Sequence, residues 1–327
     1  MLRGTYVTTQ DLVRLRGRTQ GLILPVNPAV YRTGGFRSKI LGRGMEYEKS
    51  RKYEPGDDVR MIDWRVTART GTAHTKVFQE DRQKAVYLIV DLTSTMRFGT
   101  RVAFKSVVAA EAAALLAWVA HSQGDLISIV GVSDHGVRHG KLASSSESLM
   151  KQLNMLAKLS QTSPTAIDSP LSFSEALSVV VRKVRTGDLA VIFSDLANLT
   201  DISSKALEYL SRQQSLIVCW VQDPIEQESL PVGHYPVTDG IQYTTLHLSS
   251  TGRRKKLQSL LDRRNQAIQD TLKRLGSKNV QMKCGDDIAK VLHRTFHRSA
   301  NLNGRNGLSP PVGFSRSSAR ASATTRG

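Results

Sequence analysis

Four apolar segments, separated from one another by helical patterns, are the feature that most limits how this chain can fold. They are residues 85–91, 126–132, 189–195 and 215–223. A continuous apolar run of this length is typical of a strand that is buried on both faces. Strands that alternate with helices favour a parallel sheet with helices on both sides. The sequence therefore predicts an α/β fold with a doubly wound, mainly parallel sheet.

The α/β domain is one of four regions predicted along the chain. Residues 1–32 form an N-terminal arm with a short helix near Gln10–Leu15, and residues 33–82 are dense in charge and turn residues. The α/β domain occupies 83–299. Residues 300–327 are rich in Ser, Gly, Arg and Pro, which predicts a disordered basic tail.

Three further elements are predicted in the last part of the α/β domain. Residues 231–250 indicate a hairpin around Asp239-Gly240. Residues 253–274 predict a basic amphipathic helix, which begins with Arg253, Arg254, Lys255 and Lys256. A last helix is expected over 286–298.

Composition and charge limit the class of protein. Lys and Arg number 46 against 28 Asp and Glu, and the formal charge of +18 suits an anionic partner such as nucleic acid, a membrane surface or an acidic protein. No segment approaches ~20 consecutive apolar residues, so no transmembrane helix is predicted. Two cysteines are too few for a disulfide framework. A reduced, cytoplasmic protein is expected.

Two predicted strands end in carboxylates, which places candidate chemistry at one edge of the sheet. Asp91 is followed by Thr93 and Thr95, and a later strand ends in Asp195. Ligands of open parallel sheets bind at the carboxyl ends of the strands. Two carboxylates and two hydroxyls form a set of hard oxygens that suits Mg²⁺. The alternative is that these side chains only cap helices.

This arrangement resembles the metal-ion-dependent adhesion site of von Willebrand factor type A domains, over roughly residues 84–225. In that family an Asp and two hydroxyls contact Mg²⁺, and a middle-loop Thr and a later Asp complete the shell. The resemblance implies that the corresponding residues here are Asp91, Thr93, Thr95 and Asp195. Ser172 is the candidate for the middle-loop hydroxyl, with Ser169 as its alternative. Threonine replaces both serines, which keeps the oxygen and adds a stiff β-branch.

A second resemblance lies before the first buried strand, in residues 42–70, and extends to about residue 295. The spacing is similar to the signature of the domain-of-unknown-function 58 family. The matching residues are Gly42, Gly44, Glu46, Tyr47, Arg51, Tyr53, Pro55, Gly56, Asp57, Arg60, Ile62, Asp63, Trp64, Ala68 and Arg69, followed by Met96, Phe98 and Gly99. That family is commonly grouped with MoxR-type AAA+ ATPases, and its own biochemical activity is not established. The resemblance implies an adaptor that works with such an ATPase.

The charged segment allows three interpretations from its residues alone. It is a structural cap held by ion pairs, in which Arg60 and Asp63 belong to one network. It is an interaction surface, because loops on rigid scaffolds carry function. Or it is an acid/base cluster, although no poised nucleophile accompanies it. Trp64, Trp118 and Trp220 are expected to be core or fold anchors.

The function predicted is therefore a von Willebrand A-like protein-interaction adaptor that uses a Mg²⁺-supported site. The alternative is nucleic-acid binding through the basic helix and the Arg-bearing tail. The sequence contains no G-x-x-x-x-G-K-[ST] phosphate loop and no G-x-S-x-G nucleophile elbow. No catalytic residue is predicted, and any ATP hydrolysis would come from a partner.

Overall fold

The structure is a computed structural model. It describes residues 1–24, 45–80, 83–100, 102–162, 170–197, 199–213, 216–227, 231–238, 243–248 and 250–302. The predicted tail from residue 303 onward, Asp239-Gly240 and Ser169 lie outside the described residues.

Ten strands and eight α-helices lie in the described part of the chain. The strands are β1 (Met45–Lys52), β2 (His74–Glu80), β3 (Ala85–Asp91), β4 (Leu126–Ser133), β5 (Gly136–His139), β6 (Leu189–Ser194), β7 (Leu216–Gln222), β8 (His234–Thr238), β9 (Tyr243–His247) and β10 (Lys278–Lys283). The helices are α1 (Thr9–Arg14), α2 (Trp64–Thr70), α3 (Lys105–Ser122), α4 (Ser146–Gln161), α5 (Pro170–Val181), α6 (Asp201–Arg212), α7 (Thr251–Leu275) and α8 (Ile288–Leu302).

The central sheet has six strands in the order β10-β7-β6-β3-β4-β5. All neighbours are parallel except β4 and β5, which form an antiparallel pair. From the β5 edge, and numbered by chain order within this sheet, the strands run 3-2-1-4-5-6, which is the order of doubly wound folds. The predicted α/β class is confirmed, and the four predicted strands are neighbours in one sheet.

The side chains of β3 alternate between two hydrophobic cores, one on each face of the sheet. Val86, Leu88 and Val90 face the core that contains α3, whereas Tyr87 and Ile89 face the opposite core. This is the period of two expected for a strand covered on both sides. Helix α3 is buried along nearly its whole length, and its many alanines allow close packing against the sheet.

The edge strands β5 and β10 were not predicted from the sequence. Strand β5 is only four residues long and partly exposed. In β10 only Val280 and Met282 are buried, so its apolar pattern is too short to recognise. The last helix also differs, because α8 begins at Ile288 and reaches Leu302 instead of ending near 298.

The first 24 residues pack against the α/β domain. Leu12, Leu15 and Leu24 are buried in the same core as α3. The indole nitrogen of Trp118 donates to the backbone oxygen of Leu12 at 3.0 Å. The described part of the arm therefore contributes to the helical layer on this face of the sheet.

The charged segment folds as a β-hairpin with a short helix inserted between its strands. Strands β1 and β2 are antiparallel, and α2 lies between them in the chain. Asp63 caps α2, since its carboxylate accepts hydrogen bonds from the Val66 amide at 3.2 Å and the Ser50 hydroxyl at 2.7 Å. Gly71 ends the helix with φ of 70°, a conformation that favours glycine.

The expected ion pairs of this segment form at Arg51 but not between Arg60 and Asp63. Arg51 binds Asp57 at 2.6 Å and lies 3.7 Å from a carboxylate oxygen of Glu54. Asp63 is buried and bound by Ser50 and the Val66 amide, and Arg60 is exposed, so these two do not form the predicted pair. A short helix capped by Asp63 uses that carboxylate locally, which leaves Arg60 to face solvent.

No helix in the described part of the chain has both the length and the apolar character needed to cross a membrane.

Candidate functional site

The candidate site lies where the strand order of the sheet reverses. Strands β3 and β6 are parallel neighbours, and Val90 pairs in register with Phe193. Asp91 is the last residue of β3, and Asp195 directly follows β6. Helices that follow these two strands lie on opposite faces of the sheet, and this is the position of the crevice where doubly wound folds bind ligands.

Four side-chain oxygens form a continuous chain across this crevice. The Thr93 hydroxyl donates to Asp91 Oδ1 at 2.7 Å and lies 3.3 Å from the Thr95 hydroxyl. The Thr95 hydroxyl in turn donates to Asp195 Oδ1 at 3.4 Å. Asp91, Thr93 and Asp195 are all almost completely buried. The four residues predicted from the D-x-T-x-T pattern and the later strand end are therefore brought together.

Asp91 is held in an environment that opposes its negative charge. Its second carboxylate oxygen, Oδ2, accepts a hydrogen bond from the Ser194 hydroxyl at 2.6 Å. Burial, and then the neighbouring charge of Asp195, raise the pKa of Asp91 to about 6, although the hydrogen bonds from Ser194 and Thr93 act in the opposite direction. A cation in the crevice would relieve this repulsion.

Asp195 is neutralised instead by two basic side chains. Its Oδ2 atom accepts from Lys105 Nζ at 2.6 Å and from an Arg264 Nη at 3.1 Å. Burial alone would raise the pKa of Asp195, but these two cations outweigh it and hold the pKa below its usual value. Asp195 is therefore ionised at neutral pH.

Glu226 completes this cluster of buried charges. Its Oε1 atom accepts from Lys105 Nζ at 3.1 Å and lies 3.3 Å from Arg264 Nη1. The side chain of Lys105 is only 2% exposed, and burial would lower its pKa, but Asp195 and Glu226 raise it. Lys105 is thus a buried ammonium shared by two carboxylates, whereas Arg264 is 36% exposed and closes the cluster from the solvent side.

The backbone after β6 is strained. Leu196 has φ of 56°, and it is the one non-glycine residue of the described chain with positive φ. This conformation typically costs about 1–3 kcal/mol for a bulky side chain. It is held by hydrogen bonds from the Leu196 amide to the Ser194 hydroxyl at 2.9 Å and from the Ala197 amide to Asp195 Oδ1 at 3.0 Å. The second of these hydrogen bonds also helps to hold the Asp195 carboxylate in place.

The oxygens of the crevice are of the chemical type that a small hard cation prefers, namely carboxylate and hydroxyl oxygens. Successive oxygens are separated by 2.7, 3.3 and 3.4 Å, which are distances of ordinary hydrogen-bonding contacts. Among the described residues, no three His, Cys, Asp or Glu side chains form a metal-binding group, so the two threonine hydroxyls would have to supply ligands. With Asp91 ionised, three carboxylates face two basic groups, which leaves the cluster negative.

Ser172 is not joined to this oxygen chain. It is buried in α5, and no hydrogen bond links it to Asp91 or Asp195 among the described side chains. Its neighbour Ser174 instead pairs with the Thr200 hydroxyl at 2.8 Å. Its role as the middle-loop hydroxyl stays a prediction.

Sequence reasoning missed four residues of this site: Ser194, as the partner of Asp91, and Lys105, Glu226 and Arg264. Lys105 carries a signal, since a lysine that begins an otherwise apolar, Ala-rich helix must be paired if the helix is buried. Arg264 carries none, because it is one of many basic residues on α7 and only the fold reveals its contact.

Fold and site together define a class of protein, namely a doubly wound α/β domain with carboxylate and hydroxyl oxygens at the point where its strand order reverses. The family model described as "Protein of unknown function DUF58" matches residues 49–267, more than half of the chain. The chain belongs to this family.

The relatives that the chain resembles are themselves uncharacterized. Uncharacterized protein Rv1480 of Mycobacterium tuberculosis and uncharacterized protein Mb1516 of Mycobacterium bovis are each 28% identical over 206 residues, which cover 63% of this chain. The matched part spans 64% of the length of these relatives.

Solved structures also show a likeness. BatB from Bacteroides thetaiotaomicron has 14% identity and a TM-score of 0.40, over 67% of this chain and 99% of that one. A von Willebrand factor type A protein from Catenulispora acidiphila has 11% identity and a TM-score of 0.34, over 69% of this chain and 44% of that one. The fold assignment itself rests on the strand order described above.

Proposed function

We propose that this chain is a protein-interaction adaptor that engages its partner at the crevice between β3 and β6, with Mg²⁺ bound there. The observation that carries the proposal is the chain of oxygens from Asp91, Thr93, Thr95 and Asp195 at the point where the strand order reverses. Such a crevice is the default ligand site of a doubly wound sheet.

Each residue around the crevice has a distinct role in this proposal. Asp91, Thr93 and Thr95 would hold the ion, and Ser194 orients the Asp91 carboxylate through its hydrogen bond to Oδ2. Asp195 accepts from the Thr95 hydroxyl and so turns the hydroxyl lone pairs toward the crevice. The bound ion would supply a strong positive centre with an open position for a carboxylate of the partner.

We propose a MoxR-type AAA+ ATPase as the partner and a non-enzymatic role for this chain. Membership of the family supports this choice, because the family is commonly grouped with such ATPases. The adaptor would bind, and the ATPase would supply the energy of nucleotide hydrolysis. We also propose a cytoplasmic setting, which fits two buried cysteines with free thiols.

Binding to a purified MoxR-type AAA+ ATPase tests the proposal. Chelation of Mg²⁺ is a poor test, since such an ATPase itself uses Mg²⁺ with its nucleotide. The sharper comparison is wild type against Asp91→Asn at constant Mg²⁺, measured by biolayer interferometry. Asp91→Asn should weaken binding by at least about tenfold. Asp201→Asn, which changes an exposed acid on α6, should bind as wild type does. Equal affinity of all three proteins would refute the crevice as the interaction site.

Nucleic-acid binding is a second candidate, favoured by the first turns of α7. Arg253, Lys255 and Lys256 are exposed there, and the net charge of the chain is +18. If this helix binds DNA, affinity should fall steeply with salt, with a log–log slope of about −0.9 for each phosphate neutralised. A slope near zero, or no binding to DNA, would exclude this candidate.

A further inference from the structure

Trp64 is exposed, contrary to the expectation that all three tryptophans are core or fold anchors. Its side chain is 70% exposed, whereas Trp118 and Trp220 are 4% and 1% exposed. Val59, five residues earlier, is 61% exposed. Both belong to the charged segment that forms the hairpin and α2. Tryptophan is one of the residue types enriched where proteins bind one another, so an indole that is this exposed marks a candidate interaction surface.

Helix α2 presents this indole together with two arginines. Trp64 and Ala68 are four residues apart, as are Arg65 and Arg69, so they form two adjacent rows along the helix. All four are exposed. Arg60, on the turn before the helix, is exposed as well. We call these residues the signature face: Val59, Arg60, Trp64, Arg65, Ala68 and Arg69.

Three acids of the segment, Asp57, Asp58 and Asp63, are already engaged elsewhere. Asp57 binds Arg51 at 2.6 Å, and the Asp63 carboxylate accepts from Ser50 and the Val66 amide. Asp58 caps its own turn by accepting from the Arg60 backbone amide at 3.0 Å. No acidic side chain lies within ion-pair distance of the three guanidinium groups of the signature face among the described residues.

We infer that the signature face is a docking surface for an acidic segment of a partner protein that also carries an apolar side chain. Its three arginines would pair with carboxylates of that segment, and Trp64 and Val59 would cover the apolar side chain. Tryptophan and arginine are the residue types most enriched where binding energy concentrates. This inference rests on the proposed role as an interaction module, but it involves none of the residues of the crevice.

A protein partner suits this surface better than nucleic acid does. Val59 and Ala68 add aliphatic surface, which bases and phosphates do not need. A single exposed indole also falls short of the series of aromatic rings on which successive bases stack.

Binding of a fluorescein-labelled peptide of alternating Glu and Leu tests the inference on the full chain. Fluorescence anisotropy at physiological salt compares wild type with the double variant Arg65→Glu, Arg69→Glu and with Trp64→Ala. Each variant should weaken binding by at least about tenfold. The matched control is Arg253→Glu, Arg254→Glu on α7, which changes the net charge equally and should bind as wild type does. Circular dichroism checks that the variants remain folded.

Trp64 also gives a direct signal in the unmodified protein. Because the other two indoles are buried, iodide should quench mainly Trp64, and bound peptide should protect it. Asp91→Asn should leave peptide binding unchanged, so failure of the crevice proposal and failure of this one are distinguishable.

Four results would overturn the inference. The first is that wild type does not bind the peptide, and the second is that both double variants lose peptide affinity equally. The third is a loss of peptide affinity in Asp91→Asn. The fourth is that labelled oligothymidylate, and not the peptide, binds through Arg65 and Arg69. The second would show that net charge alone attracts the peptide, and the last would assign the face to nucleic acid.

Discussion

Replacing Lys105 by methionine tests two effects of the buried ammonium: its contribution to stability and its contribution to the charge of the crevice. Methionine keeps the unbranched side chain but removes the cation that Asp195 and Glu226 share at 2.6 and 3.1 Å. Breaking a buried ion pair by removing one partner typically costs about 3–5 kcal/mol, because the remaining charge stays buried. Arg264 still reaches both carboxylates, so we expect a loss near the lower limit, about 3 kcal/mol.

The measurement is the free energy of unfolding in urea at neutral pH, first in EDTA and then in excess Mg²⁺. In EDTA the loss should appear in full, and it should shrink as the pH falls, since protonation removes the stranded charge of the carboxylates. Excess Mg²⁺ should recover more stability in the variant than in wild type, because the crevice has become more negative.

Lys151→Met provides the matched control. Lys151 pairs with Glu147 at 2.6 Å, but both side chains are at least 75% exposed, so its loss should cost less than about 0.5 kcal/mol. If Lys105→Met also costs less than about 1 kcal/mol, the buried charge cluster does not exist as described. If Mg²⁺ stabilises wild type and variant equally, the ion does not bind near Asp195.

The remaining predictions concern pH, the charged segment and a glycine beside the site. Because the folded pKa of Asp91 is raised from 3.8 to about 6, the free energy of unfolding of the metal-free protein should fall by about 3 kcal/mol as the pH rises from about 4 to about 6. Asp91→Asn should flatten that slope in urea titrations, and an unchanged slope in the variant would contradict the assignment. Arg60→Ala should change the free energy of unfolding by less than about 0.5 kcal/mol, whereas Asp63→Ala should lower it by at least about 1 kcal/mol through loss of the α2 cap. A larger loss for Arg60→Ala than for Asp63→Ala would instead support the ion pair predicted from the sequence. Gly99→Ala places a methyl group against the backbone oxygen of Ala103 and should lower the stability measured by thermal unfolding by about 1–3 kcal/mol. Gly17→Ala should be nearly neutral, because its methyl group meets no neighbouring atom. Equal effects of the two variants would refute the close approach of Gly99 to Ala103.

Much of the fold follows from local patterns in the sequence. A strand such as β3, with every residue buried, produces a continuous apolar run that needs no tertiary information. Strand β10 does not, because its burial depends on its pairing with β7 at the edge of the sheet. The hairpin of the charged segment was missed for a related reason, since the sequence of β1 alternates charged and polar residues with few apolar ones.

The residues of the candidate site that directly follow strands could be predicted from the sequence. Those that belong to elements distant in the sequence could not. Asp91 and Asp195 were found because strand ends converge at one edge of a parallel sheet. Glu226 and Arg264 reach the same place from a turn after β7 and from α7, and no spacing in the sequence connects them with Asp91. Arg60 and Asp63 show the opposite error, since proximity in sequence suggested a pair that helix capping prevents.

Anomalous diffraction from crystals grown with excess Mn²⁺, which binds the same kinds of oxygen ligand as Mg²⁺, tests the proposed metal site most directly. We expect an anomalous peak enclosed by the Asp91 carboxylate and the hydroxyl oxygens of Thr93 and Thr95, and no such peak in Asp91→Asn crystals. Lys105 should remain on Asp195 in both. An empty crevice in wild-type crystals, with Mn²⁺ only on surface residues, would contradict the claim and leave these oxygens as local caps of the strand ends.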